Sequence, residues 1–345
     1  RGTFDFLAEF GLGILDNATV RTVGTVVRSG GQAEDTGTFI RLHDIEKQQK
    51  EETFARVISE GSSPEAIDRL YNVELSEFGL VPGTPLSYYT PSKVRALHDT
   101  DLKIDPDITG VDAEGIAKVA QGMATGKNDR FLRYHWETSS DVFKPYAKGG
   151  EDAWVLPRVD HQINWQDDGK VVQRYSGSLL RNSEYYGQEG LTWTAIKETG
   201  HRFGYLPSGH IFDMAGSMVF LEDEYDPWLV LAAINSTLHH GLFLSITPER
   251  QWTQGEVGRI PWHKSKLEGV DLTSLAKEQY QLFASTRTDD PTSIYYISPS
   301  ILPINNPEFF YEESGRNEEL SASDLINADL EKSTSIIGAV QRKLE

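Results

Sequence analysis

The sequence predicts a mixed α/β chain: the end of a larger sheet domain, then an α+β domain rich in loops, then a C-terminal helical segment. Three observations carry that expectation. Residues 19–27 alternate like a strand and are rich in valine and threonine. Between Gly122 and Trp193, bases, aromatics and glycines interleave in segments too short for long helices. From Leu267 to Phe283, apolar residues recur at helical spacing.

Phe4 to Gly13 runs into the strand Thr19–Val27. A further strand, Thr38–Leu42, precedes a polar helix from Glu46 to Ser59. Two or three strands with one helix bury too little to stand alone. Residues 1–60 are therefore expected to close a sheet domain whose beginning is absent. Gly79, Pro82, Gly83, Pro85 and Pro91 mark residues 61–115 as a connector. Residues 116–262 form the expected α+β domain, with two short strands across a turn in Phe203–Asp213. Asp226-Pro227 supplies an N-cap and a proline at the first helical position. The following apolar run, Trp228–Ile246, is interrupted by Asn235, His239 and His240, and reads as one buried helix, not a membrane span. Residues 263–345 are expected to be helical and to end in a solvated tail. Residues 305–331 hold eight acids against the single base Arg316.

The chain of 345 residues has a formal charge of −19 and no cysteine. Absent thiols exclude disulfides, thiolate zinc sites and a cysteine nucleophile. No charged-then-apolar leader is present, so a cytoplasmic location is expected. An acidic mean field repels polyanions. The favoured explanation is a halophilic source, whose molar salt screens that repulsion to about 3 Å; an ordinary mesophilic acidic protein is the alternative. Against this background, residues 116–205 keep twelve bases against eleven acids. Cations with aromatic and amide groups on glycine-rich loops suit a nucleic-acid surface, with charge for phosphates and ring faces and forks for bases.

Candidate motifs divide unevenly. Phe10-Gly-Leu-Gly13 lacks the helix a dinucleotide loop must open, because a strand follows; it is expected to be a turn. His239 and His240 are adjacent, not four apart as helical metal ligands are, and are expected to be structural. Asp167-Asp168 and Asp289-Asp290 accompany turn formers and read as loop residues. Lys127, Arg130 and Arg133 recur every third residue, with Phe131, Tyr134 and Trp136 among them. They form either a phosphate-binding face or a solvated face over packed rings. Lys144, Tyr146 and Lys148 precede Gly149-Gly150, where a backbone can approach a phosphate. Arg181 and Arg202 are assisting cations. Trp193 is divided between core and base contact, and Gln254 and Arg259 are candidate readers of adenine and guanine edges. No metal site is expected.

Ala120-Gln-Gly-Met-Ala-Thr-Gly126, with Asn128-Asp129 and Phe131, resembles the opening of the target-recognition region in large adenine-specific DNA methyltransferases. The relatives meant are the type IIG restriction–modification enzymes and, closer still, the PglX-like methylases of BREX phage-defence systems. Later segments are similar in order: Lys144–Gly150, Asn164-Trp165 with Asp168-Gly169, Arg181 with Tyr185-Tyr186, and Gly190–Trp193. Phe212-Asp213 with Gly216, Asn235-Ser236, and Gln254–Val257 with Ile260-Pro261-Trp262 complete the series. Phe78–Pro85 with Tyr88-Tyr89 resembles the connector, and Asn17–Arg28 the last strands of the catalytic sheet. The resemblance covers most of residues 1–285. It implies a Rossmann-like methyltransferase sheet ending near residue 60, then a target-recognition domain over 116–262 and C-terminal helices. It implies double-stranded DNA, a separate N-terminal catalytic domain and other phage-defence proteins as partners. The implied cofactor is S-adenosylmethionine, donating to an adenine amino group. The family's methyl-donor loop and Asn-Pro-Pro-Tyr motif are not found in these residues; Asn305-Asn-Pro-Glu-Phe-Phe310 lacks the second proline. Catalysis is therefore expected of a parent protein and not of this chain alone. The alternatives are a stand-alone DNA-binding specificity module and a secreted carbohydrate-active protein built on the seven tryptophans.

Overall fold

A computed structural model describes residues 2–296 apart from 32–34, 62, 150–154, 198–199, 201, 248–250, 265–270, 289 and 295. The acidic segment 305–331, the Asn305–Phe310 motif and Asp289 lie outside the described residues. The fold is mixed α/β, divided into two compact units.

The first unit takes the described residues up to Asp101 and a return segment from Gly241. Its elements are β1 (Gly2–Gly11), β2 (Thr22–Ser29), β3 (Thr36–Arg41), α1 (Lys50–Ser59), α2 (Pro64–Ile67), β4 (Leu70–Glu74) and α3 (Ser92–Arg95). The sheet order is β2-β1-β3-β4; β1 is antiparallel to β2 and parallel to β3. Strand alternation sends consecutive residues to opposite faces, and both faces are covered. Leu7 and Phe39 pack with Val73, Phe78 and Tyr88 on one side, and Ala8 and Ile40 with Leu42, Val57 and Ala66 on the other. The strands and helix expected before residue 60 are present. Phe10–Gly13 is the turn leaving β1, with Gly11 at φ 70° and Gly13 at φ 86°. β4 differs from expectation: it pairs antiparallel with β3, so this stretch of the expected connector completes the sheet. The prolines after it punctuate a packed segment in which Phe78 and Tyr88 reach the core. β2 is an edge strand with exposed Val23, Val26 and Val27.

The second unit begins at Leu102. Its strands are β5 (Leu102–Lys103), β6 (Glu114–Gly115), β7 (Ala117–Ala120), β8 (Leu132–Tyr134), β9 (Phe143–Ala147), β10 (His161–Asn164), β11 (Gly190–Thr194), β12 (Phe203–Leu206), β13 (Ile211–Phe212) and β14 (Gly216–Leu221). Its helices are α4 (Asn128–Phe131), α5 (Lys170–Gln173), α6 (Pro227–Ile234), α7 (Thr237–Ile246, shared with the first unit), α8 (Gln254–Gly258) and α9 (Leu272–Ser285). Two four-stranded sheets dominate, ordered β13-β9-β10-β8 and β12-β11-β14-β7. The expected strand pair in Phe203–Asp213 exists, but its turn carries the chain from one sheet to the other, so β12 and β13 do not pair. Ala120, Ala147, Val159, Leu206, Phe212, Met218 and Phe220 form a core joining residues of both sheets. A second core gathers Met123, Phe131, Leu132, Tyr146, Ile163, Val172 and Ile211.

Helix α6 starts as expected: Asp226 accepts from the Trp228 amide at 3.1 Å, with Pro227 at the first turn. The expected single helix is two, bent by 67°. At the end of α6 the Asn235 side chain bonds the backbone of Phe203, accepting from its N–H and donating to its carbonyl, each at 2.8 Å. Ser236 then accepts from the His239 amide at 3.3 Å and starts α7. Among the described residues no single helix is long and apolar enough to cross a membrane.

Candidate nucleic-acid interface

The basic, aromatic segment of the sequence becomes the β13-β9-β10-β8 sheet and its approaches. Thr125 and Asn128 bond side chain to side chain at 2.5 Å where the chain enters the single turn α4. The polypeptide then extends into β8, whose residues lie level with β10: Leu132 with Ile163, Arg133 with Gln162, Tyr134 with His161. Beyond Tyr134 the strand turns, and its amide donates to Glu137 Oε2 at 2.7 Å. Tyr134 and Trp136 thereby stack face to face, with centroids 4.5 Å apart and planes 7° apart. Tyr134 also meets the His161 ring at 4.7 Å. Tyr134 is 43% exposed and Trp136 49%. An open groove of about 340 Å³ runs beside this stack, lined among others by Asn128, Asp129, Arg133, Glu137, Lys148 and His161.

The expected cations fall into three groups. Lys127, on the approach to α4, and Lys144, on β9, are exposed and have no partner among the described residues. Arg130 and Arg133 are exposed but braced: Arg130 lies 5.4 Å from the Phe131 and Tyr175 ring centres, and Arg133 donates to the carbonyls of Asp129 and Leu132. Lys148 is ion-paired with Asp213 at 2.7 Å. The same Asp213 oxygen accepts from the Tyr146 hydroxyl at 2.7 Å, while its other oxygen accepts from the Ala215 amide at 2.9 Å. Burial, and then the Asp213 charge, push the Tyr146 hydroxyl well above the usual tyrosine range, so it remains a donor. Arg181 is exposed and donates to the Gln121 side-chain oxygen. Its loop is fixed by Asn182 donating to the Gln121 carbonyl at 2.8 Å and by Tyr186 donating to the Arg181 carbonyl at 2.7 Å.

Four expectations are corrected. Tyr146 is wholly buried, because Asp213 and the second core enclose it, so it supports Lys148 and offers nothing to a surface ligand. Trp193 is 1% exposed in the fully buried strand β11, and its indole N–H donates to the Trp252 carbonyl at 2.9 Å. Gln254, expected to read a base edge, opens the helix α8, and its amide donates to buried Ser217 at 2.6 Å. Gly149, expected to let a phosphate approach, is needed by the protein's own backbone. At φ 70°, a Cβ there would sit 2.6 Å from the Ala215 carbonyl carbon. Gly122 is likewise a packing requirement, since its Cβ would lie 2.1 Å from the Phe212 carbonyl oxygen. Gly150 lies outside the described residues.

Arg202 contacts His240 at 3.1 Å, and Arg259 caps α8; with Gln254 they belong to the surroundings of the other sheet. His239 is buried beside Trp262, and burial, aided by the charge of His263, lowers its pKa to about 4. Asp167 and Asp168 occupy the left-handed region of a turn. No cluster of potential metal ligands occurs among the described residues. The exposed Tyr134–Trp136 stack with its neighbour His161, and the Gln121 side chain that holds Arg181, were not among the expected contacts. Tyr134 and Trp136 stand two apart at the end of a strand-like run, which is the signal that could have found them.

Fold and surface together describe a mixed α/β protein with exposed bases and rings on one small sheet. No protein-family model matches the chain. Over 295 residues, 81% of its length, the chain is 28% identical to the adenine-specific methyltransferase BrxX of Escherichia coli O9:H4 (strain HS). Over 78% of its length it is 24% identical to the adenine-specific methyltransferase PglX of Lacticaseibacillus casei (strain Zhang). It spans 22% and 23% of these two relatives. The resemblance to PglX-like adenine methyltransferases expected from the sequence is thus met by two relatives over about four fifths of the chain.

Proposed function

We propose that this chain is the DNA-recognition portion of a site-specific adenine methyltransferase of the BREX type. On this reading residues 116–262 are the target-recognition domain, and the methyl group comes from S-adenosylmethionine bound elsewhere in the parent protein. The carrying observation is that Lys127, Arg130, Arg133 and Lys144 remain exposed, and that Arg133 lines a groove beside the exposed ring of Tyr134, on which Trp136 stacks. Phosphate contacts need such cations at a surface, and base contacts need rings or hydrogen-bonding edges beside them. Arg181, held by Gln121, is a donor fork suited to a guanine edge.

The first unit is read as the closing part of a Rossmann-like catalytic sheet. Its sheet is covered on both faces, and β2 leaves Val23, Val26 and Val27 exposed at an edge that further structure would cover. The described residues do not fit S-adenosylmethionine: the glycine turn Phe10–Gly13 leads from β1 towards antiparallel β2, not into a helix N-terminus. No catalytic step is therefore assigned to this chain.

The test is an anisotropy titration of the chain with duplex DNA across a salt series. The expected result is affinity that falls as salt rises, with a log–log slope of about −0.9 per phosphate contacted. No binding at low salt would refute the reading. Adenine methylation by the full-length parent, measured alongside, checks the enzyme assignment.

A further inference from the structure

Charge is laid out unevenly along this chain. Residues 305–331 carry eight acids and one base, Arg316. Answering cations stand on the second unit: Lys127 and Arg130 at α4, Arg133 on β8, and Lys170 and Arg174 at α5. All five are exposed, and none has a carboxylate partner among the described residues. Arg130 lies 5.4 Å from the Tyr175 ring centre, which brings α4 beside the end of α5. The chain's mean charge is negative, so an anionic segment is repelled from most of its surface and drawn to these cations.

The described chain also runs past these cations after α9. The Thr292 carbonyl accepts from His135 Nε2 at 2.8 Å, and His135 directly follows β8. Arg287 donates to the Pro157 carbonyl at 3.2 Å and Arg158 to the Thr292 hydroxyl at 3.4 Å, so residues 287–292 are held against their own domain. Glu308, the first acid of the segment, follows Thr292 by sixteen residues. Such a tether reaches at most about 55 Å, against about 30 Å for the width of a small domain. It holds the acids at an effective concentration on the order of millimolar. An exposed ion pair is weak alone, but tethered acids meet several cations without first diffusing to them.

Resting on the DNA-recognition reading, we infer that residues 305–331 compete with DNA for the cations of α4, β8 and α5. Their carboxylates take the places that phosphate oxygens take in the complex. The contact is an internal brake on DNA binding, strongest at low salt and screened as salt rises.

Two measurements test it. Carbodiimide couples a carboxylate to an amine where the two are in contact, so it reads the unaltered 345-residue chain. Mass spectrometry should find amide links from residues 305–331 to Lys127 and Lys170, and duplex DNA should suppress them. The second measurement is DNA affinity in about 50 mM salt. Glu308→Gln, Glu312→Gln, Glu313→Gln, Glu318→Gln and Glu319→Gln, made together, should tighten binding about 5- to 150-fold, the usual range for coupled sites. That gain should shrink as salt rises. Glu46→Gln, Glu51→Gln, Glu52→Gln, Glu60→Gln and Asp68→Asn remove as much charge from exposed positions of the first unit and should tighten binding far less. Absence of links to Lys127 and Lys170, or equal tightening by the two variants, overturns the inference and leaves the DNA-recognition reading standing. Failure of all three proteins to bind DNA overturns both.

Discussion

Lys144→Ala and Lys148→Ala should behave differently, although both lysines lie in the same lysine–tyrosine–glycine segment. Lys144 is exposed on β9 with no partner among the described residues, so its removal leaves no internal charge stranded. Stability should change by no more than about 0.5 kcal/mol. If its ammonium meets a phosphate, the log–log slope of DNA affinity against salt should flatten by about 0.9, so that the affinity span between 50 and 200 mM narrows about 3.5-fold. Lys148 is different. Its ammonium lies 2.7 Å from an Asp213 oxygen, and that carboxylate is only 4% exposed. Deleting one partner of a fully buried pair costs about 3–5 kcal/mol. Lys148 itself is a third exposed, which lowers the expected loss to about 2–3 kcal/mol. Urea unfolding and a salt-series titration of both variants supply the two numbers. An unchanged slope in Lys144→Ala would remove Lys144 from the DNA surface. An unchanged urea midpoint in Lys148→Ala would mean that the Asp213 pair does not support the fold.

Two further outcomes follow from burial. Trp193→Ala should lose about 3–5 kcal/mol of stability while the DNA affinity of the folded fraction stays unchanged; an affinity loss without a stability loss would return Trp193 to the surface. His239 has a folded pKa of about 4 against an ordinary value of 6.5, so the unfolded chain takes up the proton first and stability falls as pH drops from 6.5 towards 4. That loss should reach about 2–3 kcal/mol and be absent from His239→Gln, seen as a smaller difference between urea midpoints at neutral and acid pH.

What was legible in the sequence was local. The turn at Phe10–Gly13, the helix ending at Ser59 and the start of α6 each depend on residues close in sequence, and each is present. The break between α6 and α7 was hidden because Asn235 answers Phe203, a residue 32 positions away. The place of β4 was hidden for a similar reason: five residues between two turns do not announce that β3 needs a partner. Within the site, Tyr134 and Tyr146 both sit in short strands flanked by bases. Which tyrosine faces water is decided by Asp213, brought over Tyr146 when β13 pairs parallel with β9. Glycines misled for a physical reason too. Missing side chains at Gly122 and Gly149 admit either a phosphate or a neighbouring strand, and composition cannot tell which.

Counting bases overstates the charge this surface can present. Among the twelve in residues 116–205, Lys118 bonds Asp107, Lys148 bonds Asp213 and Arg158 bonds Asp160, so three at least are answered by carboxylates within the chain. Arg130 is drawn over two rings and Arg133 over two carbonyls, which fixes their directions without cancelling their charges. The exposed cations of that segment without a carboxylate partner among the described residues are Lys127, Arg130, Arg133, Lys144, Lys170, Arg174 and Arg181, a smaller set than the composition suggested. A set of that size, on a chain of charge −19, supplies few ion contacts. Contacts that do not depend on net charge must then carry more of the affinity, and the Tyr134–Trp136 stack is where the described surface offers them.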